Sequence, residues 1–236
     1  MSNILKLFYF CILFPINTQA SITLNATRLV FKDSAGSASV EVSNANNDEP
    51  ALVQSWVENY LANNSEDIPL IVSPSLAKIP PNGRQVLRVL GAVKSLPQDK
   101  ESVFWLNVQY IPTQQVNAES QIGKNILQLA VRQRIKVFYR PAGLKGDVNK
   151  APSLLVWQQS IRGNHAYITL TNPTPFCISY YGLKFQSHAK THLVPDSGML
   201  CSDESREFTA PAQSYRSLSF MRINDYGGDE LITLAQ

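Results

Sequence analysis

Cysteine, histidine and methionine each occur only three times in 236 residues, and charged residues make up only 17% of the chain. So few soft ligands exclude a cysteine-rich or histidine-rich metal scaffold. His188 and His192 stand four apart between two cysteines, but that spacing matches no standard zinc pattern and the segment does not read as a helix. The formal charge of +3 is small, and lysine and arginine are not massed in one block, which argues against nucleic acid as a partner. Beyond residue 20 no apolar run approaches the roughly 20 residues that cross a bilayer, so no stable membrane insertion is expected. The sequence also lacks a Gly-x-Ser-x-Gly elbow, a phosphate-binding Walker loop, a His-Glu-x-x-His metal motif and a dinucleotide loop. Triads assembled from His165, His188 or His192 would be arbitrary, so neither an enzymatic activity nor a cofactor is expected.

What is present begins with an export signal. Lys6 gives a positive start, Leu7 to Ile16 form a short apolar core interrupted at Pro15, and Thr18-Gln19-Ala20 ends in a small residue. Cleavage between Ala20 and Ser21 would remove residues 1–20, leave 216 of 236 residues and lower the formal charge from +3 to +2. Cys11 would leave with that segment. Cys177 and Cys201 would remain, and two thiols in an oxidising compartment most simply form one disulfide.

The rest of the chain alternates with period two and shows no helical stretch of useful length. Ser21 to Phe31, Ala38 to Val42, Ile68 to Val72, Val86 to Leu90 and Val103 to Ile111 read as strands. Asn44 to Pro50 and Pro80-Pro81-Asn82-Gly83 read as breaks. Leu52 to Tyr60 is less regular, with Val53, Trp56 and Val57 out of strict alternation. A strand from Leu127 to Phe138 is stopped by Arg140-Pro141, because proline lacks the donor a ladder needs. Residues 142–152, with Gly143, Gly146, Asn149 and Pro152, read as a linker between two β-rich blocks. Ala166 to Leu170, Ser179 to Phe185 and Ser217 to Met221 fall in the second block. About seven short strands in each block predict two immunoglobulin-like sandwiches, an all-β chain. The expected division is 21–141 for the first domain and 153–236 for the second.

One strand is informative. Leu127, Leu129 and Val131 are apolar at alternate positions, preceded by the polar segment Thr113 to Lys124 and followed by the basic cluster Arg132, Arg134 and Lys136. Edge strands are normally blunted by charge, proline or short length. An edge that offered alternate Leu, Leu and Val would instead be a template for a foreign strand, with ladder bonds for affinity and side-chain pockets for selectivity.

The motif Ile135-Lys136-Val137-Phe138-Tyr139-Arg140-Pro141 is similar to the end of the first domain's last strand in the periplasmic pilus chaperones of the chaperone/usher pathway. Leu96-Pro97-Gln98-Asp99-Lys100-Glu101-Ser102, Asn172-Pro173-Thr174-Pro175-Phe176 and Ile223-Asn224-Asp225-Tyr226-Gly227-Gly228 resemble further family motifs, in order along the whole mature chain. The resemblance implies two immunoglobulin-like domains set at an angle around a cleft. It also implies a periplasmic chaperone that completes the folding of pilus or fimbrial subunits by lending a strand, then delivers them to an outer-membrane usher. Leu127, Leu129 and Val131 would fill the subunit's open groove, and Arg28 and Lys136 would bind its C-terminal carboxylate. Glu101, Arg140 and Asp225 look like the family's interdomain charge network.

Two cations converging on a chain terminus would fix register as well as affinity, since a one-residue slip turns every groove-filling side chain to the wrong face. Lys136 has even parity whereas Leu127, Leu129 and Val131 have odd parity, which sends the lysine to the opposite face unless a bulge, a strong twist or its long stem intervenes. Fourteen residues separate Pro112 from Leu127, as in the branch with the shorter loop before the donor strand. Ser73-Pro74-Ser75 stands where relatives often carry consecutive prolines, and the cysteine pair reads as a local staple. The rival reading, a pilus structural subunit or adhesin, requires one incomplete sandwich with an N-terminal donor extension.

Overall fold

The computed structural model describes residues 22–46, 49–61, 68–91, 93–111, 130–188 and 190–235. The first half carries β1 (Ile22–Leu24), β2 (Arg28–Lys32), β3 (Ser37–Asn44), β4 (Ala51–Asn59), β5 (Leu70–Ser73), β6 (Leu76–Ile79), β7 (Arg84–Gly91), β8 (Ser102–Ile111) and β9 (Arg132–Arg140). The second half carries β10 (Val156–Arg162), β11 (His165–Thr171), β12 (Ile178–Gln186), β13 (Thr191–Leu200), β14 (Ser205–Pro211), β15 (Ser217–Ile223) and β16 (Asp229–Ala235). Among the described residues there is no α-helix, only single 3-10 turns.

Four sheets form two sandwiches. In the first, the order β1-β3-β7-β5 packs on β2-β9-β8-β4-β6; in the second, β10-β11-β14 packs on β13-β12-β15-β16. Each sandwich has its own core. Phe31, Val40, Val53, Leu87, Leu106 and Tyr139 belong to the first; Ile168, Tyr180, Phe185, Phe208, Tyr215 and Phe220 belong to the second. Burying one such side chain completely stabilises by about 1.5–3 kcal/mol. Two separate cores do not fit the single incomplete sandwich that a pilus subunit requires.

The run from Ser21 to Phe31, read as one strand, is two in the structure. The chain leaves β1 for the opposite sheet at Asn25–Thr27, so that β1 pairs with β3 while β2 pairs in parallel with β9. The chain also changes sheet from β5 to β6, across a cis Ser73–Pro74 bond. The strand expected from Leu127 to Phe138 is described from β9's start at Arg132 and runs on to Arg140; Leu127 and Leu129 lie outside the described residues. Residues 142–152 are not a free tether. Leu144 and Val148 pack against the second core and Ala151 is part of it. In the second domain, β12 shifts register between Tyr181 and Leu183, where Gly182 takes φ +63°, a left-handed conformation that glycine adopts without a Cβ penalty.

Irregular alternation in β4 has a packing cause. Ala51, Val53 and Ser55 face the core, while Trp56 lies on the outer face of the five-stranded sheet under the Arg132 guanidinium, 5.4 Å from the ring centroid. Both faces therefore carry large side chains. The same outer face lies beside the junction with the second domain.

Candidate functional site: the interdomain cleft

Parity in β9 separates two kinds of work. Ile135, Val137 and Tyr139 point into the first core, and Arg132, Arg134, Lys136, Phe138 and Arg140 form the other face. A straight strand without a bulge thus puts Lys136 opposite the core-facing residues, as strict period two requires. Arg28 is its cross-strand partner, because β2 pairs with β9 from Arg28 and Lys136 through Lys32 and Arg140. Partners in register share a face, so the two cations stand side by side where β2 begins.

Neither cation has a carboxylate within salt-bridge distance among the described residues. Arg28 donates from Nη1 to the Ile223 carbonyl at 2.8 Å and lies 5.6 Å from the Phe138 ring centroid, while its buried Nε has no partner. Burial lowers its pKa, with a partial offset from the charge of Asp225. The Lys136 ammonium donates to Ser179 Oγ at 3.3 Å and lies 5.6 Å from the Tyr60 ring centroid. Burial, reinforced by the Arg28 charge, pulls Lys136 down to about 8. Two cations held together and partly desolvated, with no carboxylate in salt-bridge contact among the described residues, form a ready anion site.

Arg132 and Arg134 are differently placed. Glu58 accepts from Arg134 Nη2 at 3.1 Å and lies 3.7 Å from Arg132 Nη2, and Arg134 stacks on Trp105 at 4.7 Å. A hydrogen bond from Trp56 Nε1, first among several causes, holds the Glu58 carboxyl below its ordinary value. These arginines are partnered within the first domain.

The free edge lies just before the cations. β2 covers only Lys136 to Arg140 of β9, so along Arg132 to Ile135 the strand has β8 on one side and no described strand on the other. Val131, immediately before β9, is half exposed, and its carbonyl accepts the Tyr110 amide at 2.9 Å, continuing the ladder to β8.

Three motifs meet at Arg140. Its Nε donates to Glu101 Oε1 at 2.6 Å, and Nη1 and Nη2 donate to the two Asp225 oxygens at 2.7 and 3.1 Å. Glu101 also accepts the Cys177 amide at 2.7 Å, and its own amide donates to the Pro175 carbonyl at 2.9 Å. Buried Asn172 organises that turn by donating to the Phe176 and Leu200 carbonyls, and the Phe176 ring lies 5.6 Å from the Arg140 guanidinium. Burial pushes the Glu101 carboxyl up despite Arg140, whereas Arg140 itself is held above its ordinary value because its two carboxylates outweigh its own desolvation. On Glu101 desolvation wins because its side chain is only 1% exposed, against 29% for Asp225.

Cys177 and Cys201 are joined by a disulfide, flanking the Ile178–Leu200 pair of β12 and β13. It staples the second domain locally, yet it also borders the junction. Cys201 lines a cavity of about 430 Å³ between the domains with Tyr60, Phe104, Lys100 and Glu204. Tyr60, Ser179 and Ile223 were not singled out by sequence reasoning. Ile223 opens a recognised motif, but nothing in the sequence sets Ser179 or Tyr60 apart.

The chain is thus a two-domain β-sandwich protein with paired cations and an open strand edge beside its interdomain junction. Residues 21–145 match the family described as pili and flagellar-assembly chaperone, PapD N-terminal domain, and residues 150–233 match the pili assembly chaperone PapD, C-terminal domain. The chain belongs to this family of periplasmic chaperones. It is 39% identical over 215 residues to the probable fimbrial chaperone LpfB of Escherichia coli O157:H7, covering 90% of this chain and 87% of that one. It is 35% identical over 230 residues to the probable fimbrial chaperone YadV of E. coli K12, covering 94% and 92%. The crystal structure of YadV chaperone superposes with a TM-score of 0.73 at 31% identity, over 92% of this chain and 100% of that one. The CupB2 chaperone of Pseudomonas aeruginosa gives 0.73 at 28% identity, over 90% and 99%.

Proposed function

We propose that this chaperone accepts a strand of an unfinished pilus or fimbrial subunit along the open edge of β9 and clamps the subunit's C-terminal carboxylate between Arg28 and Lys136. The observation that carries this reading is that the open edge ends where the two cations begin. A foreign strand whose last residue meets Arg28 must enter from the Arg132 end and travel toward Lys136, parallel to β9. Its terminus would then abut the start of β2, so that chain end and β2 lie in line in one sheet. The uncompensated cations supply the charge complement for a carboxylate, and the site offers no comparable partner to an amide or a mid-chain carbonyl.

In the same reading Leu127, Leu129 and Val131 enter the subunit's groove while the ladder bonds form. The exposure of Val131 is consistent with that role. The Glu101, Arg140 and Asp225 network holds the second domain against the first, so that the cleft keeps its shape. Family membership supports an outer-membrane usher as the recipient of the loaded complex. Residues 1–20 act as the export signal and are removed before the work begins.

The test is co-purification from periplasmic extract with Arg28→Ala or Lys136→Ala. Recovery of bound subunit should be lost while circular dichroism of the isolated protein is unchanged. Subunit recovered at wild-type yield from either variant would overturn the clamp.

A further inference from the structure

Both cleft cations are gripped from the second domain by a single cross-strand pair. Ser179 on β12 and Ile223 on β15 are register partners, just as Arg28 and Lys136 are partners in the first domain. The Ile223 carbonyl takes Arg28 at 2.8 Å and the Ser179 hydroxyl takes Lys136 at 3.3 Å. Four residues from four strands thus close a ring across the domain junction. Ser179 is only 2% exposed, so its hydroxyl is a fixed point rather than a surface group.

We infer that Ser179 is a positioning residue that holds the Lys136 ammonium at the spacing two-point capture of a chain-terminal carboxylate requires. The inference rests on the clamp reading above. A lysine stem is rich in rotamers, and repulsion from Arg28 drives the ammonium away from its neighbour. The Tyr60 ring attracts the ammonium but sets no hydrogen-bond direction. The Ser179 hydroxyl sets one. A serine suits the position because it is neutral: an aspartate there would satisfy the lysine internally and remove the charge that the client must find. Because the two partners belong to the second domain, the clamp is assembled only while that domain is docked.

Two readouts on the full chain test this. The first is an NMR titration of the Lys136 ε-methylene in the protein alone. The midpoint of about 8 should move toward the ordinary lysine value of 10.5 in Ser179→Ala, as the freed ammonium turns to solvent, and should stay in place in Ser179→Thr, which keeps the hydroxyl. The second compares a synthetic strand peptide of alternating apolar residues ending in a free carboxylate with the same peptide ending in an amide. Ser179→Ala should reduce the preference for carboxylate over amide about fivefold and leave the amide affinity unchanged, with threonine restoring it. A Lys136 midpoint that stays in place or falls in Ser179→Ala overturns the inference, as does equal loss of both peptides. Wild-type protein that does not distinguish carboxylate from amide would instead overturn the clamp reading, whatever the titration shows.

Discussion

Replacing Arg140 with alanine strands the most deeply buried charge at the domain junction. Glu101, 1% exposed, would keep only the Cys177 amide at 2.7 Å, while Asp225, 29% exposed, could turn to water. Removing one partner of a buried ion pair costs about 3–5 kcal/mol, most of it the unpaired charge that remains. That is a large share of the roughly 5–15 kcal/mol by which a folded protein is stable. The loss should depend on pH. Burial already raises the Glu101 carboxyl above its ordinary value of 4.5, and loss of Arg140 removes the largest opposing influence, raising it further. A carboxyl whose folded pKa lies above its unfolded one takes up protons on folding between the two values. Its contribution is thus complete below the unfolded pKa and is lost as pH rises through the folded one. The deficit of Arg140→Ala relative to wild type should accordingly be largest at neutral pH and shrink as the medium is acidified toward 4.5. Urea denaturation followed by tryptophan fluorescence reads both domains, since Trp56 and Trp105 lie in the first and Trp157 in the second. The double variant Arg140→Met with Glu101→Gln should recover most of the loss, because no buried charge remains. A deficit under about 0.5 kcal/mol at neutral pH, or one that grows on acidification, would refute the reasoning.

Client capture should weaken in alkali. Free Lys136 titrates at about 8 and a bound carboxylate raises that value, so above pH 8 binding takes up a proton and affinity should fall by up to about tenfold per pH unit; a flat profile by calorimetry would count against the clamp. The same depressed lysine value makes the unliganded protein gain stability as pH rises through about 8 toward 10.5, since the unfolded chain then holds the extra proton. Gly227→Ala should cost about 1–2 kcal/mol and reduce client capture, because φ is +84° and the new Cβ would clash with Thr27 Oγ1, next to Arg28. An unchanged melting temperature would show that the turn does not press on the first domain. Opening the Cys177–Cys201 disulfide, which spans 24 residues, should cost about 3 kcal/mol on the chain-entropy account, measurable as a lower urea midpoint in Cys177→Ala/Cys201→Ala.

Period-two alternation made the fold class legible, because half-buried strands write their burial directly into neighbouring residues. It failed where that link is broken. Between residues 22 and 31 the apolar positions switch from even (Ile22, Leu24) to odd (Leu29, Phe31) where the chain changes sheet, so reading them as one strand joined β1 and β2 across a break in phase. β13 went unread because Pro195 and Gly198 interrupt an exposed edge whose inward face is only partly covered. The parity of Lys136 was readable but left its face open between a regular strand and a bulge or twist; the unbroken ladder from Arg132 to Tyr139 puts it opposite Ile135 and Val137.

Local pattern was enough for the two all-β blocks and the stop at Pro141, while Arg28, Lys136, Glu101, Arg140 and Asp225 were legible only through the resemblance to the pilus chaperones. The docking of the two domains is what sets Gly227 against Thr27 and brings Ser179 and Ile223 onto the two cations. Such meetings join residues more than 40 positions apart through the docking of two separately packed cores. Local periodicity carries no information about which surface of one core faces the other.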